Sequence, residues 1–302
     1  MKNYVRICGG LGNQMFRYAA NRAYSLENNS ETVLYINLNK KVDHEIFGLK
    51  HCSLPDDIKY CDNDNLPTSF LYKLLTAIYN HKFFRIFTFQ IKINRLIIRM
   101  LNPILINSGI FYYPVGYMKI KKCKKEKILL EGAFQSIRYF EKYDDIICNE
   151  LQIKDIISNK NQKLYNKICS SNSVCIHIRR GDYVNTVYDV CNKEYYEKAI
   201  SLISKKVLNP NFMVFSNDID WVKGNINFGD NSVTYIDGNN QFEDMKLMYS
   251  CKHFIIANSS YSWWAQHLCD NKNKIVVAPS KWMKNEQHKD IYEEGWTLID
   301  VK

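Results

Sequence analysis

The sequence predicts an α/β protein built on parallel sheets, large enough for one large or two medium domains. Two observations carry most of this. Over residues 174–279, short β-type runs alternate with runs of helical period, the pattern of a parallel sheet with crossover helices. The N-terminus repeats that pattern as a strand, a glycine-rich turn and a helix. At 302 residues the chain also exceeds the usual size of one domain. Its 46% hydrophobic and 24% charged residues are ordinary for a globular protein, so extended disorder is not expected. Halves of 1–150 and 151–302 are the expected domains.

In chain order, residues 4–7 form a short β-type run that leads into Gly9-Gly10-Leu11-Gly12-Asn13. Met15, Ala19, Arg22, Ala23 and Leu26 then recur at helical spacing. A strand is expected over 32–38. The stretch 40–125 is irregular, aromatic and basic, and yields only a helical run near 70–78 and an amphipathic basic segment at 83–100. Beyond it the reading is regular. Strands are expected at 174–178, 212–215, 233–236, 253–257 and 275–278, the last closed by Pro279, and helices at 193–206, 241–251 and 263–269. Parallel sheets bind ligands beyond the carboxyl ends of their strands, where the polar motifs of this chain fall.

The net charge is +10, which suits an anionic ligand, a nucleic acid or an anionic membrane surface equally. No nucleic-acid-binding signature accompanies it, so nucleic acid is not expected as a partner. The densest basic run is Lys119, Lys121, Lys122, Lys124, Lys125 and Lys127. It reads as a solvated loop or strand edge, or else as a contact to anionic lipid or a lipid-pyrophosphate acceptor. The ten cysteines are scattered, with no C-x-x-C pair. The N-terminus enters a strand at once, leaving no room for a signal peptide. No apolar stretch reaches the ~18 residues of a membrane span; the best, 83–100, is broken by Arg85, Lys92, Arg95 and Arg99. A reduced, cytoplasmic setting is expected, with peripheral contact to the inner membrane face as an option. The oligomeric state is left open.

Four motifs carry candidate chemistry. His177-Ile178-Arg179-Arg180-Gly181-Asp182 leaves a strand end with two adjacent guanidiniums, a fork suited to phosphate. A structural arginine–aspartate pair explains it equally well. The Arg-Gly-Asp triplet inside it is a chance match to an adhesion tripeptide. Phe215-Ser216-Asn217-Asp218 follows another strand and alone amounts to a helix cap. Asn258-Ser259-Ser260-Tyr261-Ser262-Trp263-Trp264 places hydroxyls and free N–H groups at a helix start, a ready anion site. Trp263 and Trp264 are expected to pack in the core. The fourth motif is Gly9-Gly10-Leu11-Gly12-Asn13-Gln14, which does not match the dinucleotide fingerprint G-x-G-x-x-G but sets amides at a strand end. Asp57 and Asp145 have neighbouring acids in the wrong context for a metal, and a D-x-D metal motif is expected to be absent. The histidines other than His177 show no ligand spacing.

Taken together and in this order, the four motifs resemble those of glycosyltransferase family 11, and in particular its bacterial α-1,2-fucosyltransferases. The matched motifs run from residue 9 to about 268, although 40–125 contributes little. The resemblance implies a GT-B architecture, two Rossmann-like domains facing a central cleft, with an acceptor-side N-terminal domain and a donor-binding C-terminal one. It implies metal-independent, inverting transfer from GDP-β-L-fucose, needing no cofactor, to the 2-hydroxyl of a β-galactose in a surface glycan. The expected absence of a D-x-D metal motif is in keeping with a metal-independent reaction. Arg179 matches the arginine on the β-phosphate, with His177 and Arg180 beside it. Asp244 matches an acid on the guanine or ribose side, and Asn258, Ser259 and Ser260 match the phosphate-contacting turn. Asn13 and Gln14 match a loop lining the cleft. Asn217, Asp218 and Ser262 complete the expected substrate-binding set. Asp182 is the candidate general base, or else orients an arginine. Two other readings compete: a non-catalytic nucleotide-sugar-binding protein on the same scaffold, and a membrane- or nucleic-acid-associated factor driven by charge.

Overall fold

The computed structural model describes residues 1–36, 47–61, 66, 69–70, 73–74, 88–113, 116–284 and 289–301. The chain forms two compact units. The first comprises Met1–Lys50, Leu54–Leu151 and Lys289–Ile291; the second comprises His51–Ser53, Gln152–His288 and Tyr292–Lys302.

In the first unit, Lys2–Ile7 (β1), Glu31–Ile36 (β2), Lys59–Cys61 (β3), Ile110–Tyr113 (β4) and Lys127–Gly132 (β5) form one parallel sheet in the order β3-β2-β1-β5-β4. Val5, Leu34 and Leu129 are fully buried in its central strands, because a parallel sheet is covered on both faces. Helix Leu11–Glu27 (α1) packs on it through Met15, Phe16, Ala19 and Ala23, small residues letting the backbone lie close. On the same helix Tyr18 donates to Glu150 Oε2 at 2.5 Å, and Arg22 grips both oxygens of that carboxylate. This paired, hydrogen-bonded charge fastens helix Asp144–Leu151 to α1 without leaving a buried ion uncompensated. Helix Thr88–Asn107 (α2) lies on β4, held by the Asn102 side chain, which donates to the Tyr112 carbonyl at 2.6 Å and accepts from the Tyr112 N–H at 3.1 Å.

The stretch 40–125 therefore contains β3, α2 and β4, which the pattern did not reveal: β3 and β4 span only three and four residues. Of the basic segment at 83–100, residues 88–100 are helical, and the helix passes through Pro103 to Asn107; residues 83–87 lie outside the described residues. Of the expected helical run at 70–78, Phe70, Lys73 and Leu74 are described and are helical; its other residues and the end of the strand at 37–38 lie outside the described residues.

In the second unit, Ser173–Ile178 (β6), Asn211–Ser216 (β7), Ser232–Ile236 (β8), His253–Ile255 (β9), Val276–Pro279 (β10) and Thr297–Ile299 (β11) form a parallel sheet in the order β11-β10-β9-β6-β7-β8. Its core joins Val174, Ile176, Phe212 and Val214 to Tyr195, Tyr196, Ala199 and Ile203 of helix Lys193–Lys206. The chain runs from β6 outward through β7 to β8, then returns to the other side of β6 as β9. The carboxyl ends of β6 and β9 thus flank the point where the winding reverses, and ligands of such sheets sit there. Helices Ile219–Asn225, Gln241–Tyr249 and Ser260–His267 each start on a side-chain cap, from Asp218, Asn240 and Ser259 respectively. The Ser259 cap starts the last helix three residues before the expected position 263, and β9 stops at Ile255. Pro279 is the last residue of β10. Trp263 and Trp264 are wholly buried. None of the ten cysteines is in a disulfide, and no helix among the described residues is long and apolar enough to cross a membrane.

Candidate active site

At the end of β6, His177 is buried, and its Nδ1 shares a short hydrogen bond with the Ser262 hydroxyl. Burial, and then the positive charge of Arg179, push its pKa down to about 3, so the ring is neutral at ordinary pH. It ties β6 to the helix at Ser260–His267.

The next two residues part company. Arg179 Nε pairs with Asp182 Oδ1 at 2.8 Å, and its guanidinium carbon lies 5.6 Å from the centre of the Tyr183 ring. Its two terminal nitrogens have no hydrogen-bond or ion-pair partner among the described residues. Arg180 takes other partners: its guanidinium lies 3.6 Å from the Trp221 ring centre, and its Nε is 3.4 Å from Asp218 Oδ2. The two guanidiniums therefore do not form the single fork that their adjacency suggests. Arg180 is a cation stacked on an aromatic face, and Arg179 is the one with donors to offer.

Asn217 explains the glycine between these residues and Asp182. Its Oδ1 accepts the Arg180 N–H at 2.9 Å, while its amide nitrogen lies 2.3 Å from where a Cβ on residue 181 would stand. Only glycine lets the two turns approach this closely. Asp218 caps its helix through the Trp221 N–H at 3.3 Å.

Across the switch point, the Asn258-Ser259-Ser260 turn follows β9. Asn258 is buried and fully committed: its amide donates to the carbonyls of Tyr188 (2.9 Å) and Trp282 (2.8 Å), and its oxygen accepts the Cys191 thiol. It ties loops together and offers no side-chain donor to a ligand. Ser259 caps the helix, and its side chain lies beside the Tyr183 hydroxyl. Burial pushes the pKa of that hydroxyl up to about 12. Ser260, half-buried, opens the helix, whose first N–H groups have no carbonyl four residues back. Tyr183 thus joins the Arg179 turn to the Ser259 turn. No motif drew attention to it, and only its place directly after the Arg180-Gly181-Asp182 triplet hinted at a role.

Asp244 lies in the first turn of helix Gln241–Tyr249 and accepts from Asn239 Nδ2 at 3.0 Å. Burial pushes its carboxyl up to about 6, partly offset by that bond. Asn239 in turn accepts from Asn161 at 2.7 Å, so the acid ends a chain of amides.

Asn13 and Gln14 belong to the first unit. Gln14 is buried, donating to the Gly9 carbonyl at 2.8 Å and accepting the Gly48 N–H at 2.9 Å, so it pins two turns and does not line a surface. Asn13 is half-buried and accepts from Gln135 at 2.9 Å.

Two D-x-D triplets do occur. Asp62-Asn63-Asp64 lies outside the described residues. In Asp218-Ile219-Asp220 the first carboxylate faces Arg180, and the second, almost fully exposed, faces Lys223 at 3.6 Å, so each already has a cation. The other described histidines have structural partners: His51 with Asp155, His253 with the Ile275 N–H, and His267 with Glu293.

The unit thus holds an arginine and a helix N-terminus at one switch point, bridged by Tyr183 and by the His177–Ser262 bond, an arrangement suited to a phosphate-bearing ligand. Comparison with known proteins agrees. The model of glycosyl transferase family 11 matches residues 2–300. The chain is 32% identical to an alpha-1,2-colitosyltransferase of Escherichia coli, over 98% of each chain. It is also 32% identical to the O-antigen biosynthesis glycosyltransferase WbnK of Escherichia coli, over 97% of this chain and 99% of the relative. Among solved structures, the NodZ alpha-1,6-fucosyltransferase co-crystallized with GDP aligns with a TM-score of 0.54 at 13% identity, covering 88% of this chain and 91% of the other. The fold is of the GT-B class, and the chain belongs to glycosyltransferase family 11.

Proposed function

We propose that this glycosyltransferase moves L-fucose from GDP-β-L-fucose, with inversion, to the 2-hydroxyl of a β-galactose in a surface glycan. The observation that supports this best is the free donor end of Arg179 at the same switch point as the Ser259-Ser260 helix start. As the bond from the anomeric carbon to the β-phosphate oxygen breaks, negative charge grows on the departing diphosphate. Arg179 and the helix N–H groups are donors for that charge, held in place before it develops. Asp182 and Tyr183 hold the Arg179 guanidinium in position. The acceptor oxygen attacks the opposite face of the anomeric carbon and gives up its proton to Asp182 or to a phosphate oxygen. His177, neutral and bonded to Ser262, positions the strand end and takes no proton. Asp244 and its amide chain serve the guanine or ribose end.

Charge stabilisation by these cationic and amide donors calls for no divalent ion, so EDTA should leave turnover largely intact. A strict need for magnesium or manganese would show that the leaving group is handled differently.

A second reading of the donor is favoured by the colitosyltransferase relative. Colitose is L-fucose without its 3-hydroxyl, so the two donors differ by one polar group. The test offers the purified protein GDP-L-fucose and GDP-L-colitose separately, each with a panel of galactose-terminated acceptors, and assigns the product linkage by NMR. An α-1,2-fucoside as the main product supports the proposal. Transfer from the colitose donor alone overturns the donor assignment, and donor binding without any transfer returns the chain to a nucleotide-sugar-binding role.

A further inference from the structure

Helix α2 presents an apolar face to solvent. Leu96, Ile97, Met100 and Ile104 are 60%, 43%, 68% and 56% exposed. At 100° per residue these four positions fall within one arc about 100° wide, the width of an amphipathic stripe. The opposite side of the helix is fixed: Ile98 and Leu105 are buried, and Asn102 is bonded to both backbone groups of Tyr112 on β4. The helix therefore cannot roll to hide the exposed stripe without breaking those bonds. Arg99, also exposed, flanks the stripe.

A basic loop adjoins the same end of the helix. Residues 119–127 carry six lysines against one glutamate, a net +5, and all six lysines are exposed. Two ties hold this loop to the last turn of α2. The Cys123 thiol donates to the Ile106 carbonyl at 3.0 Å, and Lys125 packs on Gly109, just after the helix, its Cβ 3.6 Å from where a Cβ there would stand. Buried Cys123 also anchors the loop through its N–H to the Tyr24 hydroxyl. An exposed apolar stripe and a fixed lysine cluster thus lie in one unit, linked through the end of α2.

We propose that the exposed face of α2, together with the lysine loop, docks the protein onto an anionic lipid bilayer, the helix lying in the interface and not across it. An apolar stripe alone would suit another protein equally well. The adjoining unbalanced +5 charge is what selects an anionic surface, because each lysine near such a surface is attracted to it and the apolar side chains enter the acyl boundary. The proposal does not depend on the donor or acceptor assigned above.

The test uses the full chain with vesicles of phosphatidylcholine alone and of phosphatidylcholine mixed with phosphatidylglycerol, read by flotation. Binding is expected only to the anionic vesicles, and it should weaken as salt is raised. Lys121→Gln/Lys122→Gln/Lys124→Gln/Lys125→Gln should weaken it by on the order of 10³-fold, at roughly fivefold per lysine. Leu96→Gln/Met100→Gln/Ile104→Gln, all at exposed positions, should weaken binding at low salt while leaving circular dichroism and melting unchanged. Equal binding to neutral vesicles, or undiminished binding by either variant, would overturn the proposal. So would light scattering that shows a wild-type dimer made monomeric by the glutamine variant, which would make a second copy the occupant of this face.

Discussion

Replacing Gly181 by alanine should damage ligand binding far more than stability. The new Cβ would stand 2.3 Å from Asn217 Nδ2 and 3.2 Å from its Cγ, against an ordinary contact of at least 3.4 Å. Something must move by about 1 Å, and the end of the Asn217 side chain is the most mobile neighbour. It cannot swing away freely, because its Oδ1 accepts the Arg180 N–H. Losing one such bond costs about 0.5–1.5 kcal/mol, which in a unit of this size lowers Tm by roughly 1–6 °C. The alternative is that the Arg179-Arg180 turn shifts instead, and a misplacement of 1 Å in a positioning group costs on the order of 10²-fold in turnover. Scanning fluorimetry, GDP calorimetry and transfer assays on the same preparation separate these effects. Small loss of Tm with a large loss of GDP affinity or kcat/KM is expected. The double variant Gly181→Ala/Asn217→Ser removes the clashing amide and should recover part of the loss, the coupling expected of residues in contact. A Gly181→Ala protein that binds and turns over like wild type would refute the reasoning, as would a double variant no better than the single one.

Three further outcomes follow from the same geometry. Arg179→Lys keeps the charge but not two parallel donors, so turnover should fall by roughly 10²-fold with Tm nearly unchanged; near-normal turnover removes Arg179 from the site. Asp182→Asn should weaken GDP binding and lower kcat together if the carboxylate orients Arg179, as their 2.8 Å pairing indicates, whereas unchanged affinity with collapsed kcat would make it the base. Asp244 holds its proton longer when folded, about 6 against 3.8, so the folded state binds more protons between those values and stability falls as pH rises through them. The penalty reaches up to about 3 kcal/mol above pH 6, and in Asp244→Asn the Tm measured from pH 4 to 7 should lose this decline.

Residue type and place in the chain were legible in the sequence wherever the fold repeats a simple rule. β6 and β7 are continuous apolar runs because both faces of a parallel sheet are covered, and the polar turns after them mark strand ends whatever they do. β3 and β4 escaped notice because three or four residues among aromatics and lysines carry no period to detect. Within the site, what stayed hidden was which polar atoms are already taken. Asn258 and Ser260 lie two residues apart in one motif and look alike as donors. Yet the Asn258 side chain is consumed by two carbonyls from segments 24 and 70 residues away, while Ser260 opens a helix. Arg179 and Arg180 differ in the same manner: Trp221, some forty residues on, takes one guanidinium and leaves the other. Local spacing can propose an anion site, but it cannot separate the residues that bind from those that hold the binders, because that distinction is made by partners distant in sequence. In this unit those partners are Tyr183, Asn217 and Trp221. Each joins two turns at the carboxyl edge of the sheet, so the donors around Arg179 are held before any ligand arrives.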